Sequence, residues 1–262
     1  MPNERPTNED RVELIAPRDI GLIDEGDDLA SIIANALQKH GNGLREGDIV
    51  VVAQKIVSKA EGRYAYLADV TPSQKAYELA AICEKDPRLV ELILRESREV
   101  LRCVRNVIVV ENLHGVVLAN AGIDRSNVAQ TDRGERVLLL PRDPDASSER
   151  LRQQLFNLLG VRVGVVINDS LGRAWRTGTV GVAIGASGLS TLSDKRGEPD
   201  LFGFKLRTTE VGAADEIAAA ASMLMGQCDE RRPVVVIRGL KQNSVHGRAT
   251  DLVRPRAQDL FR

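Results

Sequence analysis

The chain has little aromatic surface. Phe, Tyr and Trp make up 3% of its 262 residues, too few to supply the stacking platforms that bind single-stranded nucleic acid. It also lacks an excess of either charge: 36 basic and 37 acidic residues leave a net charge of −1, which gives no electrostatic case for DNA or an anionic membrane. No apolar run approaches the ~20 residues that cross a bilayer. Cys83, Cys103 and Cys228 show no CxxC spacing, so they make neither a disulfide framework nor a zinc site. His40, His114 and His246 are never paired at metal spacing. No GxxxxGK[ST] or GxGxxG occurs, so the chain is neither a P-loop nor a Rossmann protein. Met1–Asp10 is polar and acidic, unlike a signal peptide, and is expected to fray. What remains is an ordinary globular chain, cytoplasmic by default and long enough to bury a substantial core.

Strand and helix patterns interleave without a repeat. Strands are expected at Val12–Ala16, Asp48–Ala53, Arg136–Leu140, Val161–Ile167, Lys205–Thr209 and Val234–Ile237, with a hairpin of Asn106–Val110 and Val116–Ala119 turning at His114-Gly115. Helices are expected at Asp27–His40, capped by Asp27 or Asp28, at Thr71–Cys83 with a capping Thr, at Pro87–Leu101, at Ser147–Leu159 ended by Gly160, and at Ala213–Met225. Hairpins and paired helices together exclude a strictly alternating βαβ sheet. The expected class is α+β, with mixed sheets in two intertwined lobes. Residues 1–11 form the expected flexible N-terminus and 12–262 one domain, with 71–101 as a candidate helical sub-lobe.

Two acidic segments carry the chemistry: Asn120-Ala121-Gly122-Ile123-Asp124-Arg125-Ser126-Asn127 and Val166-Ile167-Asn168-Asp169-Ser170-Leu171-Gly172-Arg173. Each follows an apolar run and offers a carboxylate, an amide and a hydroxyl beside a glycine. Hard oxygen donors so placed suit Mg²⁺ or Mn²⁺ holding phosphate. Arg125, Arg173 and Arg176 stand ready for phosphate charge. An Asp or Asn capping a strand-to-loop turn fits each segment alone equally well. Lys59 directly follows a buried stretch, either as a point charge for phosphates or as a surface lysine. Asp169 after a strand also fits a phosphatase nucleophile, but Leu171 stands where that chemistry needs a second carboxylate. The one tryptophan, Trp175, reads as a packing residue rather than a substrate wall.

These segments, with Gly26-Asp27-Asp28-Leu29-Ala30, Val57-Ser58-Lys59-Ala60-Glu61-Gly62-Arg63, and Ala214-Asp215-Glu216-Ile217-Ala218 leading to Leu224-Met225-Gly226-Gln227, resemble the coenzyme F420:L-glutamate ligases. The five motifs run in the family's order from about residue 12 to residue 240. The resemblance implies metal at Asp124, Asp169, Ser170 and Gln227, two ions per site, with K⁺ as a further candidate. Ser170 stands where relatives often carry Thr, and Gln227 where some carry Glu, a stronger ligand. It implies a GTP site at Ile20, Gly21, Leu22, Ile23, Gln54, Lys55, Lys59 and Asn127, and in the stretch Met225–Pro233 through Met225, Gly226, Gln227, Cys228 and Asp229. Lys59, Asp124 and Asp169 become the catalytic candidates. The implied reaction joins L-glutamate to coenzyme F420-0 at the expense of GTP through an acyl phosphate, in a homodimer. Some relatives add a C-terminal flavin-binding domain, which this chain, stopping at Arg262, is expected to lack. A related ligase or kinase with another acceptor, and a GTP-binding regulator without turnover, are the other readings.

Overall fold

The computed structural model describes residues 11–241 and 247–259. The expectations for residues 1–10 and His246 lie outside the described residues. Its centre is a five-stranded sheet ordered β1 (Glu13–Ile15), β12 (Val234–Arg238), β2 (Ile49–Ala53), β8 (Gly164–Arg173), β9 (Arg176–Ser187). Only β2 and β8 run parallel; the other three pairs are antiparallel. Alternation along β2 sends Val50 and Val52 to one core and Ile49 and Val51 to another, which is why that strand reads as an unbroken apolar run. The Ala-rich helix α6 (Ala213–Met225) covers the second face through Ala214, Ile217, Ala218 and Ala221. Helices α1 (Leu29–Lys39) and α5 (Pro144–Leu159) belong to the first, with Ile33, Leu37, Leu151 and Leu155 buried.

Local chemistry sets the ends. Asp28 caps α1 by accepting from the Ala30 and Ser31 N–H groups at 3.1 and 3.2 Å. Gly160 ends α5 with φ +70°, a conformation that costs glycine little. Asp143 caps α5 with Pro144 at its first position, three residues before the expected start. Short α2 (Gln54–Ala60) leaves β2 at once. It is followed by β3 (Tyr64–Tyr66), which pairs with β7 (Arg136–Leu138).

Four expectations are corrected. Helix α3 spans Gln74–Cys83 and is capped by Ser73, not Thr71, because the Ser73 hydroxyl reaches the Ala76 N–H at 3.3 Å. Helix α4 stops at Arg95, and Ser97–Val104 is strand β4, whose alternating exposure has a period of two. It joins β5 (Val107–Asn112) and β6 (Val117–Ala119) in a sheet whose buried Ile108, Val110 and Leu118 share the first core with α3 and α4. Strand β8 begins at Gly164 and runs on through Arg173, since β9 continues to pair with it past the change of polarity. Lys205–Thr209 is no strand; β10 (Ser193–Asp194) pairs instead with β11 (Glu210–Val211).

Candidate functional site

Asp124 and Asp169 come from different parts of the fold. Asp169 lies within β8, on the pair with β9, rather than beyond a strand end. Asp124 follows a short 3-10 turn, Asn120–Gly122, and exchanges two 2.9 Å backbone hydrogen bonds with Leu138 of β7. That turn has three consecutive residues at positive φ: Asn120 at 52°, Ala121 at 55° and Gly122 at 71°. At Gly122 a Cβ would stand 2.8 Å from Leu140, so both space and φ require glycine. The Asn120 side chain accepts from the Ile108 N–H at 3.3 Å and ties the turn to β5. A strained loop held in this way marks a place where position matters.

Because β2 and β8 are parallel, with Ala53 opposite Asn168, the first residues of α2 emerge beside Asp169. Gln54, buried, donates from Nε2 to Asp124 Oδ2 at 2.5 Å, while its Oε1 accepts from Ser58 Oγ at 3.0 Å. The Lys55 ammonium pairs with the same Asp124 oxygen and lies 3.4 Å from Ser126 Oγ. On the other side Gln227 donates to Ser170 Oγ at 2.8 Å, and Asn127 donates to the Cys228 carbonyl at 3.2 Å. Four segments distant in sequence thus close a ring through residues 54–55, 124–127, 169–170 and 227–228.

The electrostatics of the ring are unbalanced. Burial pushes the Asp169 carboxyl up to about 6, and the Asp124 charge adds to the effect; the Ser170 N–H and Lys55 oppose it. One cation, Lys55, therefore serves two neighbouring carboxylates. Among the described residues no three His, Cys, Asp or Glu side chains cluster for a metal. The expected donor set, two carboxylates, a hydroxyl and an amide, is all hard oxygen and suits Mg²⁺ or Mn²⁺ completed by phosphate and water. Gln227 turns its NH₂ to Ser170, which leaves its amide oxygen unengaged by any described residue.

Lys59 sits in the last turn of α2. Desolvation draws its ammonium below the usual lysine range, Lys55 and Arg136 act the same way, and Asp24 opposes them. The expected segment 20–23 is divided: Ile20 and Ile23 are buried in the core, Gly21 and Leu22 are exposed, and among the described residues no hydrogen bond links the segment to the ring. Met225 is buried, with its sulfur 3.3 Å from Asn168 Nδ2. Gly226 caps α6 with φ +72°, and Cys228 and Asp229 are exposed beyond it. Arg125 pairs with Glu135, and Arg173 and Arg176 lie exposed at the β8–β9 turn. Trp175 is 81% exposed in that turn rather than packed, because φ +58° in the tight turn carries it off the sheet.

Two contributors escaped the sequence. Ser58 orients Gln54 from the next turn of α2. Asn168 points toward α6 and donates to Ser222 Oγ at 2.9 Å, fixing the helix end from which Gln227 departs. Both stand inside the motifs already singled out, so their neighbours were the available signal. The cavity of about 320 Å³ between β1, β12 and α6 contains none of the ring residues.

The family model described as F420-0:gamma-glutamyl ligase matches residues 19–239. The coenzyme F420:L-glutamate ligase of Methanothermobacter thermautotrophicus is 47% identical over 253 residues, covering 96% of this chain and 99% of that protein. The protein of the same name from Methanocaldococcus jannaschii is 45% identical over 219 residues, 84% of this chain and 86% of its own. That from Archaeoglobus fulgidus is 41% identical over 252 residues, 96% and 97% respectively.

Proposed function

The chain belongs to the F420-0:gamma-glutamyl ligase family, and from that premise we propose that it forms the amide bond between L-glutamate and the lactyl carboxylate of coenzyme F420-0, drawing on GTP. The reading is supported by one observation above the others: a carboxylate from a central strand and one from a loop bridged to β7 are brought to a single ring with too little positive charge to balance them. A carboxylate resists attack by an amine, so the acceptor must first be activated. Its oxygen takes the γ-phosphoryl group of GTP, giving an acyl phosphate and GDP. The glutamate amine then attacks the acyl carbon, and phosphate leaves.

Asp124, Asp169, Ser170 and Gln227 would hold Mg²⁺ or Mn²⁺. Bound there, divalent ions supply charge neutralisation and orientation for the phosphoryl group. Gln54 and Lys55 keep the Asp124 carboxylate in place, and Lys59 offers a half-buried cation to phosphate oxygens. Asn127 and the loop 226–229 border the nucleotide. No serine or cysteine adjoins a histidine base among the described residues, so direct phosphoryl transfer is favoured over an acyl-enzyme. K⁺ and a homodimer complete the proposal, the latter read by light scattering at micromolar protein.

Incubation with F420-0, glutamate, GTP and Mn²⁺ should add one glutamyl unit, followed by mass. GTP binding without any product would favour the regulator; turnover of a different carboxylic acid would favour another ligase. An acceptor carboxylate labelled with heavy oxygen should pass one labelled atom to the released phosphate. Unlabelled phosphate beside normal amide product refutes the acyl phosphate.

A further inference from the structure

Strand β8 does not end at the carboxylate ring. Its pairing with β2 stops at Asn168, opposite Ala53, and from Asp169 to Arg173 the only strand paired with it among the described residues is β9. The β8–β9 hairpin therefore runs past the ring and turns at Ala174-Trp175, where Arg173 and Arg176 stand opposite each other on the last rung. Val165 and Ile167 point into the first core and Val166 into the second. Alternation continues this pattern, setting Asp169, Leu171 and Arg173 on the first face, and Leu171 is buried in that core. Directly opposite residues share a face, so Arg176 joins them. One face of the hairpin thus leads from Asp169 over Leu171 and Val180 to an arginine pair, about 13 Å further on at the usual strand rise.

The fold gives this pair no reason to exist. Like charges directly opposite each other on a ladder destabilise it. Among the described residues neither guanidinium has a carboxylate within ion-pair distance, so nothing offsets the repulsion. Both arginines are exposed, and between them in sequence stands the chain's one tryptophan, 81% exposed. Its φ of +58° holds the indole off the sheet at a cost in backbone strain. Two uncompensated guanidinium groups beside an open indole form a site for an anion joined to a planar ring.

We propose that Arg173 and Arg176 bind the phosphodiester of the acceptor and that Trp175 stacks on its deazaflavin. The assignment rests on the reading of the chain as an F420-0 ligase and deepens it. The order of groups along the acceptor matches the order along the hairpin: a carboxylate at the Asp169 end, then the phosphodiester, then the aromatic system. GTP also offers phosphate and a planar base. The acceptor is favoured because the proposed nucleotide residues reach the ring from α2, the 124–127 loop and the 226–229 loop, whose hydrogen bonds touch β8 no further than Ser170. In-line phosphoryl transfer sets the acceptor oxygen opposite the departing GDP. Of the ring's four segments, only β8 is left to lead away from the nucleotide.

The test measures binding of F420-0 and of the phosphate-free deazaflavin by the chromophore's own fluorescence, with Mn²⁺ and a non-hydrolysable GTP analogue present. Wild type should bind F420-0 more tightly, with an affinity that falls as salt rises. Arg173→Gln and Arg176→Gln should each weaken F420-0 binding about ten- to a hundredfold and leave the phosphate-free chromophore within about twofold. Arg176→Lys should retain most of the affinity, because the charge is kept. Trp175→Ala should weaken both ligands alike, by about tenfold. In every variant the KM for GTP, and the mass by light scattering, should stay at the wild-type value. The subsite is overturned by unchanged F420-0 binding in the glutamine variants, by a raised KM for GTP in them, or by an equal loss of both ligands in them. A fall in mass would also overturn it, making the hairpin tip a contact between copies of the chain. Failure of wild type to bind F420-0 at all would strike the functional reading itself, and binding of the GTP analogue measured alongside separates the two.

Discussion

Replacing Asp169 with Asn should stabilise the metal-free protein while abolishing ligation. The folded carboxyl titrates at about 6 against an ordinary 3.8, so the fold holds its proton more tightly than the unfolded chain does. Two pKa units correspond to about 3 kcal/mol; with water reaching the half-buried group, we expect about 1–2 kcal/mol. The sign follows from linkage. Below 3.8 the group is protonated in both states and costs nothing. Between 3.8 and 6 the stability of wild type falls as pH rises, and above 6 the full cost is present. Urea unfolding in EDTA should therefore show Asp169→Asn more stable than wild type at pH 8 and nearly equal to it at pH 4. With Mn²⁺ the order should reverse, because a bound ion stabilises only the protein that retains the carboxylate. A variant less stable than wild type at pH 8 in EDTA would refute the reasoning, as would near-normal turnover at saturating Mn²⁺.

Asp124→Asn should likewise end ligation without unfolding the chain, checked by turnover against Mn²⁺ with circular dichroism beside it. Gln54→Ala should cost about 1–3 kcal/mol in denaturant unfolding, because it strips a buried bond from Asp124 and leaves Ser58 unpartnered. A Cβ at Gly181 would stand 2.1 Å from Ser222 Oγ and 2.5 Å from the Ala218 carbonyl. Gly181→Ala should therefore lower stability by about 1–3 kcal/mol and raise the KM for GTP, since α6 carries the 226–229 loop. Glu149, held at about 2 mainly by Arg152 and also by Ser187 and Gln153, contributes stability that is complete above pH 4.5 and lost as pH falls through 2. Its side chain is 37% exposed, so Glu149→Gln should cost only about 1 kcal/mol at pH 7, and the difference from wild type should vanish near pH 2 in urea titrations.

What the sequence makes legible is what local rules govern. The Asp28 cap, the Gly160 terminator and the full extent of α6 follow from the chain within a few residues of each position. So does the class, since hairpins and paired helices sit side by side. The strand Ser97–Val104 was hidden because Val100 and Leu101 continue the apolar spacing of α4, and only pairing with β5 decides for a period of two. The extent of β8 was hidden for a similar reason: Asn168, Asp169 and Ser170 look like a loop until β9 is laid against them. Trp175 failed a general expectation, that a lone tryptophan packs, to the demands of a two-stranded turn.

The site itself was legible as residue types and not as a mechanism of assembly. Motif by motif, Asp124, Asn127, Asp169, Ser170 and Gln227 could be chosen from the chain, and the structure does bring them together. That Lys55 closes on Asp124 could not, because the contact depends on β2 and β8 being the single parallel pair of the sheet. Parallel pairing puts the start of α2 beside Asp169 at one end of the sheet. Had these strands run antiparallel, Gln54 and Lys55 would leave at the opposite end. The same pair fixes the second face: Asn168 points toward α6 while Asp169 joins the ring, so the strand that presents the carboxylate also holds the helix that delivers Gln227. Alternation along one strand thus joins the carboxylate ring to the 226–229 loop, and a shift of β8 by one residue would reverse both placements at once.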